Sequence, residues 1–129
     1  MANAGILIVG VGGQGTLLSS RILGDVALES GFDVKVSEVH GMAQRGGSVV
    51  THVRFGDAVC SPLVGEGQAD YILAFEKLEA LRWMKYLKKS GSVIVNSQEI
   101  APIPVTLGYQ KYPDGIEENL GKSARTYLV

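Results

Sequence analysis

Apolar positions along the chain fall into short continuous runs separated by spaced stripes. Ile6 to Val9 is such a run, and it predicts a strand over 5–9 that is apolar on both faces, as in the middle of a parallel sheet. From Gln14 to about Ser30 the period changes. Leu18, Ile22 and Val26 recur every fourth residue with Leu23 and Ala27 beside them, and Arg21, Asp25 and Glu29 form a narrow charged stripe. This predicts a helix with most of its circumference covered by neighbours, ended by Gly31. Phe32 to Glu38 then alternates apolar with polar and predicts a second strand. These three elements make a βαβ unit, which predicts a parallel strand pair with a right-handed crossover.

Residues 39–47 read as a loop with three glycines. Over Ser48 to Phe55, Val49, Thr51, Val53 and Phe55 face one way and Val50, His52 and Arg54 the other. So clean an alternation predicts a strand with one solvated or interface face, near an edge or antiparallel, and makes Val50, His52 and Arg54 candidates for contact. Gly56-Asp57 is a turn signal, Ala58 to Ser61 suits a brief return strand, and Pro62 to Gln68 a loop. Ala69 to Phe75 predicts another buried strand. A helix over about Lys77 to Lys88 follows, with Ala80, Trp83, Met84 and Leu87 as its core stripe, and Ser90-Gly91 stops it. Ser92 to Asn96 is the next buried strand. Pro102 and Pro104 impose an extended segment. Residues 106–129 are weakly patterned, with a turn at Pro113-Asp114-Gly115 and a short helical piece over Ile116–Leu120. No linker or repeat divides the chain. The expectation is a single domain, 1–129, of the α/β class: a Rossmann-like, doubly wound, mostly parallel sheet.

Composition changes this picture little. The chain has 129 residues, 46% hydrophobic and 19% charged, with a net charge of −1. That leaves room for a real core and gives no basic footprint for nucleic acid. No apolar run approaches the roughly 20 residues of a membrane span, and residues 1–11 lack a basic leader, so the expectation is a cytoplasmic protein without membrane contact. The single cysteine, Cys60, excludes an internal disulfide and a cysteine-ligated iron–sulfur cluster made by this chain alone, and reads as a buried or inert thiol. His40 and His52 lack partners at metal-ligand spacing and read as hydrogen-bonding histidines; no metal site is expected.

The seventeen glycines are in excess and cluster at loops. Gly10-Val11-Gly12-Gly13-Gln14-Gly15 fits G-x-G-x-x-G in the order strand, turn, helix. Such a loop turns tightly, allows close approach to its backbone and aims helix N–H groups at an anion. Read alone, it holds a phosphate-bearing or other anionic ligand, or it closes a strand–helix corner. Glu38, at the end of the second strand, is the residue a nicotinamide dinucleotide would use for its ribose, and equally a hydrogen-bond anchor for the loop that follows. In that loop Arg45 stands among small and polar residues, where its guanidinium is free for a carboxylate or phosphate. Met42 needs something to bury it, and Gly46-Gly47 lets the backbone bend or approach another chain. Interface and ligand site are equal readings. No serine or cysteine nucleophile with a partnered histidine is evident, and no catalytic residue is assigned.

Two separated stretches, Gly10 to Gly15 and Ser37-Glu38-Val39-His40-Gly41-Met42-Ala43-Gln44-Arg45-Gly46-Gly47-Ser48-Val49, together resemble the gamma-type subunit or domain of the 2-oxoacid:ferredoxin oxidoreductases. The Val-His-Gly-Met-Ala-Gln-Arg-Gly-Gly form is most similar to the indolepyruvate branch. The resemblance runs from about residue 5 to about 105. It implies a complex that decarboxylates an aryl pyruvate oxidatively, transfers the acyl group to coenzyme A and passes electrons to ferredoxin. It also implies that thiamine diphosphate and the iron–sulfur clusters sit in a larger partner subunit. Carried over, Gly12, Gly13, Gln14 and Gly15 form the first motif. Glu38, Gly41, Met42, Gln44, Arg45, Gly46 and Gly47 form the second. Both are read as interface and cofactor or substrate surroundings. The isolated chain is then expected to be inactive. The family pattern continues past the point where this chain stops, so a shortened form, or last residues that leave the pattern, is expected. The alternatives are a stand-alone NAD(P)-binding oxidoreductase and a non-enzymatic scaffold that keeps the fold.

Overall fold

A computed structural model describes residues 3–40 and 47–129. The elements in chain order are β1 (Asn3–Val11), α1 (Thr16–Glu29), β2 (Asp33–His40), β3 (Ser48–Gly56), β4 (Ala69–Ala74), α2 (Lys77–Arg82), β5 (Leu87–Val95), α3 (Ile103–Thr106), α4 (Ile116–Ser123) and β6 (Arg125–Leu128). The strands form one sheet in the order β2-β3-β1-β4-β5-β6. β1, β4, β5 and β6 pair in parallel, while β3 pairs antiparallel with both β1 and β2. β3 therefore runs against the other strands, and the sheet is mostly parallel, as the α/β pattern predicts.

The apolar run of β1 takes the centre, with Leu7, Ile8 and Val9 wholly buried. One face of the sheet carries Leu7 and Val9, Ile72 and Ala74, and Val93 and Val95. These form a core with Ala80 of α2 and Ile116 and Leu120 of α4. α1 lies on the opposite face, over β2, β3 and β1. A parallel sheet needs helices on its faces to bury it, and the crossovers supply them.

Several expectations are corrected. The βαβ unit does not close into an adjacent pair: β1 and β2 run the same way, but β3 is inserted between them. The face of β3 carrying Val50, His52 and Arg54 is not a free contact surface. Val50 and His52 are buried and Arg54 half-buried, because the segment after β3 folds back over them. Arg54 donates to the Leu63 carbonyl, and His52 Nδ1 accepts the Val64 N–H at 3.0 Å. His52 is thus the hydrogen-bonding histidine expected. The 58–61 stretch forms no strand, and Cys60 within it is exposed rather than buried.

The second helix ends at Arg82, six residues earlier than its stripe suggests, and passes through one tight turn at Met84–Tyr86 into a β5 that begins at Leu87. Trp83, Met84 and Leu87 still pack on the core, so the apolar positions that mimic a helical stripe are satisfied by a turn and a strand. Ser90-Gly91 lies inside β5. Any side chain at Gly91 would sit 2.6 Å from Leu87 Cδ1, so the glycine makes room for that fold-over. The weakly patterned tail is ordered structure: α4 closes the core and β6 adds an edge strand. Helix α1 is not covered over most of its circumference. Leu18, Ile22 and Val26 are each more than half exposed.

Candidate functional site

The glycine corner forms at the carboxyl end of β1, beside the carboxyl end of β4. Gly13 and Gly15 both have φ of +93°, a conformation that L side chains avoid. Gly10 is required for a different reason. A Cβ there would lie 2.9 Å from Gln14 Oε1 and 3.2 Å from Phe75 Cβ.

Gln14 ties the corner together. Its Oε1 accepts the Val11 N–H at 2.7 Å, and its Nε2 donates to the Phe75 carbonyl at 3.0 Å and to Gln98 Oε1 at 3.2 Å. Asn96 Nδ2 donates to the same Phe75 carbonyl at 3.3 Å. The Gln14 amide is therefore engaged in joining the ends of β1, β4 and β5. Within the first motif, the glycine backbone is what faces outward.

Helix α1 starts at Thr16 with Gly15 as its N-cap and no side-chain cap. The first-turn N–H groups of such a helix lack intrahelical partners and carry the positive end of its dipole. They border a cavity of about 390 Å³ lined by Gly12, Gly13, Gly15, Thr16, Leu17, Glu38 and Val49. Thr16 is 6% exposed. Its Cγ2 is on the Gly10 side, 3.3 Å from where a Cβ there would stand, and its hydroxyl has no partner among the described residues.

The second motif meets the first here. The Gly12 N–H donates to the Gly47 carbonyl at 3.0 Å, and half-buried Glu38 shares the cavity with Gly12, Gly13 and Gly15. Gly41, Met42, Gln44, Arg45 and Gly46 lie outside the described residues. Immediately after them, Ser48 Oγ donates to the Glu79 carboxylate, whose other oxygen accepts from Arg82 at 3.0 Å. Glu79 is 3% exposed and thereby fixes the exit of the second motif to α2. Sequence reasoning missed Thr16, Glu79 and Gln98. Only Thr16 carried a signal, as the residue that opens the helix after a glycine loop. No cluster of metal-ligating side chains occurs among the described residues.

A mostly parallel α/β sheet with a glycine corner opening a helix at its carboxyl edge defines a Rossmann-like α/β domain. Residues 5–129 match the family described as pyruvate ferredoxin/flavodoxin oxidoreductase, and the chain belongs to that family. It is 52% identical over 113 residues to indolepyruvate oxidoreductase subunit IorB of Pyrococcus horikoshii, covering 88% of this chain and 56% of that subunit. IorB of Archaeoglobus fulgidus is 50% identical over 117 residues, covering 91% and 57%. The chain spans little more than half the length of these curated relatives.

Among solved structures, it is similar to pyruvate oxidoreductase subunit PORC of Thermotoga maritima. The TM-score is 0.70 at 19% identity, covering all of this chain and 62% of that one. The keto/oxoacid ferredoxin oxidoreductase gamma subunit of Geobacter sulfurreducens has a TM-score of 0.62 at 23% identity, covering 97% and 60%. Both likenesses support the fold.

Proposed function

We propose that this chain is the gamma-type part of a 2-oxoacid:ferredoxin oxidoreductase acting on indolepyruvate or a similar aryl pyruvate. In this reading the complex decarboxylates the 2-oxoacid, hands the acyl group to coenzyme A and delivers the electrons to ferredoxin. Thiamine diphosphate and the iron–sulfur clusters belong to a larger partner subunit. This chain holds no catalytic acid or base in the scheme. It assembles with the partner and shapes the active-site surroundings from its two glycine motifs.

The observation that carries the reading is the identity of about half of all positions to IorB subunits across nearly the whole chain. The geometry supports a role for the first motif: an uncapped helix start, glycine backbone and a buried threonine border one cavity. N–H groups so placed favour an anion, and the phosphates of coenzyme A are the anions this reaction offers. Gly12, Gly13 and Gly15 would form that cradle with Gln14 as its brace. Glu38, Gly41, Met42, Gln44, Arg45, Gly46 and Gly47 would complete the surface toward the partner.

Co-purification with a thiamine- and iron–sulfur-bearing chain tests the assembly. The expected result is a stable complex with indolepyruvate-dependent ferredoxin reduction, which Arg45→Ala lowers while leaving the fold intact. Failure to bind such a partner removes the reading. A second reading, a nicotinamide dinucleotide site, is favoured by Glu38 lying in the same cavity as the glycines. Calorimetry with coenzyme A, NADH and NADPH separates the two, and tight NADH binding would select the second.

A further inference from the structure

Residues 57–68 join β3 to β4 without helix or strand, yet Val59 and Val64 within them are buried. This strap is fastened to the sheet through its backbone. At its start the Val59 N–H donates to Asp33 Oδ2 at 2.9 Å. At its end the Gly67 N–H donates to the Lys85 carbonyl at 3.1 Å. Its middle hangs on β3: Arg54 donates to the Leu63 carbonyl at 3.3 Å, and the Val64 N–H donates to His52 Nδ1 at 3.0 Å. The last bond seats Val64 in the core, against Gly5 of β1. Of these acceptors only the imidazole takes up a proton near neutral pH.

We propose that His52 is a pH-operated latch: protonation of its ring releases the 57–68 strap from β3 while the sheet stays folded. An imidazolium carries N–H on both nitrogens and has no lone pair left for the Val64 N–H. Two donors then face each other at a side chain that is 8% exposed. Val64 also walls a cavity of about 280 Å³ with Arg54, Asp70 and Lys88, so release of the strap opens that cavity at the amino edge of the sheet.

The surroundings hold His52 neutral. Strand pairing sets Ser37 and Leu7 beside it, and puts Lys35 and Gly5 beside Arg54 in the next row of the same face. That row offers an imidazolium two cations. In the row beyond, Asp33 is engaged by Lys35 and the Val59 N–H. On β4, Asp70 accepts from the Gly5 N–H and from Lys88. In the strap, Glu66 pairs with Lys85, and Asp57 and Cys60 are exposed. On α2, Glu76 and Glu79 are engaged by Tyr112 and Arg82, and Lys77 by Glu99. None of the described ion pairs includes His52. Burial lowers its ring below the ordinary value of 6.5. The closed strap therefore favours the neutral ring, and an open strap lets it take a proton. The latch is complete above pH 6.5 and is lost as pH falls below it.

Amide hydrogen exchange by NMR between pH 7.5 and 5.5 tests the proposal. The protection factor of the Val64 amide should fall about five- to tenfold over that range, and that of Ile72 in central β4 should stay constant. Asp33, whose carboxyl is held below its ordinary 3.8, keeps its own fastening throughout. In His52→Asn the amide oxygen can accept the same N–H but does not titrate, so the Val64 protection should no longer depend on pH. A pH-independent Val64 amide in the wild type overturns the proposal, and so does an equal fall at Ile72, which would make the event global unfolding. A fall that persists in His52→Asn assigns the effect to another group and overturns it as well. If that variant does not fold, the wild type still decides: the His52 ring must titrate at the midpoint of the Val64 change, and separate midpoints refute the latch. None of the outcomes depends on coenzyme A, so the proposed function can fail or stand separately.

Discussion

The molecule contains two strand–turn–helix corners side by side, and they are built in opposite ways. At the end of β1, α1 starts from Gly15 with no side-chain cap and borders a cavity. At the end of β4, α2 starts from Glu76, which is 1% exposed and spends both oxygens on the protein. Its Oε1 accepts the Glu79 N–H at 2.9 Å; its Oε2 accepts the Ile100 N–H at 2.9 Å and the Tyr112 hydroxyl at 2.5 Å. Both corners occupy the edge where a doubly wound sheet binds ligands. The α2 corner has filled its anion position with its own carboxylate. The α1 corner leaves that position to something else. The contrast agrees with the proposed function, which puts a ligand at the first corner, and makes the second a corner closed by the protein's own groups.

Breaking the closed corner should have the largest effect. Glu76→Ala leaves the Tyr112 hydroxyl and the Ile100 N–H without their acceptor and uncaps α2. A loss of about 3 kcal/mol is expected in urea unfolding, with any affinity for coenzyme A in the folded fraction unchanged. An equal loss of affinity would show that the two corners are not separable. Next comes Gly10→Ala, where the new methyl meets Gln14 Oε1 and the Phe75 Cβ. Overpacking of this kind costs about 1–3 kcal/mol. A cost near zero would mean that the brace between the corners is loose.

Tyr112 gives the closed corner a pH signature. Burial first, then its hydrogen bond to the Glu76 carboxylate, raises the phenol well above its ordinary value of 10. The folded state therefore holds this proton while the unfolded chain releases it above pH 10. The stabilisation is complete below pH 10 and is lost as pH rises beyond it. The urea midpoint of the wild type should fall over that range more steeply than that of Tyr112→Phe. Parallel curves would mean that the phenol titrates alike in both states.

The open corner is readable in the sequence and the closed one is not, for a physical reason. Glycines at 10, 13 and 15 mark positions where the backbone itself is constrained, and that constraint is local. Glu76 and Glu79 begin a short amphipathic helix and look like solvated charges. What buries them is Tyr112, 36 residues away, and Ser48, 31 residues away. The same limit explains the sheet. The centre of β1 shows as a continuous apolar run, but the insertion of β3 between β1 and β2 is a choice of long-range pairing that no local pattern records. β6 is a four-residue edge strand, Arg-Thr-Tyr-Leu, whose mixed exposure leaves no period to detect. In the second motif the sequence grouped Glu38 and Gly47 with the first, and the cavity and the Gly12–Gly47 hydrogen bond bring those two residues to it.

The smallest expected effect is the sharpest test of the contrast. Thr16 is the first residue of α1, almost wholly buried at the cavity, with its hydroxyl unpartnered among the described residues. Valine keeps the shape and the Gly10 contact and removes only the hydroxyl. Thr16→Val should leave the unfolding free energy within about 0.5 kcal/mol, because no protein hydrogen bond is lost. If that hydroxyl completes the anion cradle, affinity for coenzyme A should fall by about 2- to 12-fold, the worth of one hydrogen bond. Loss of affinity without loss of stability at Thr16, set against loss of stability without loss of affinity at Glu76, is the double dissociation that an open and a closed corner require. Unchanged affinity in Thr16→Val would leave the glycine backbone as the whole of the cradle.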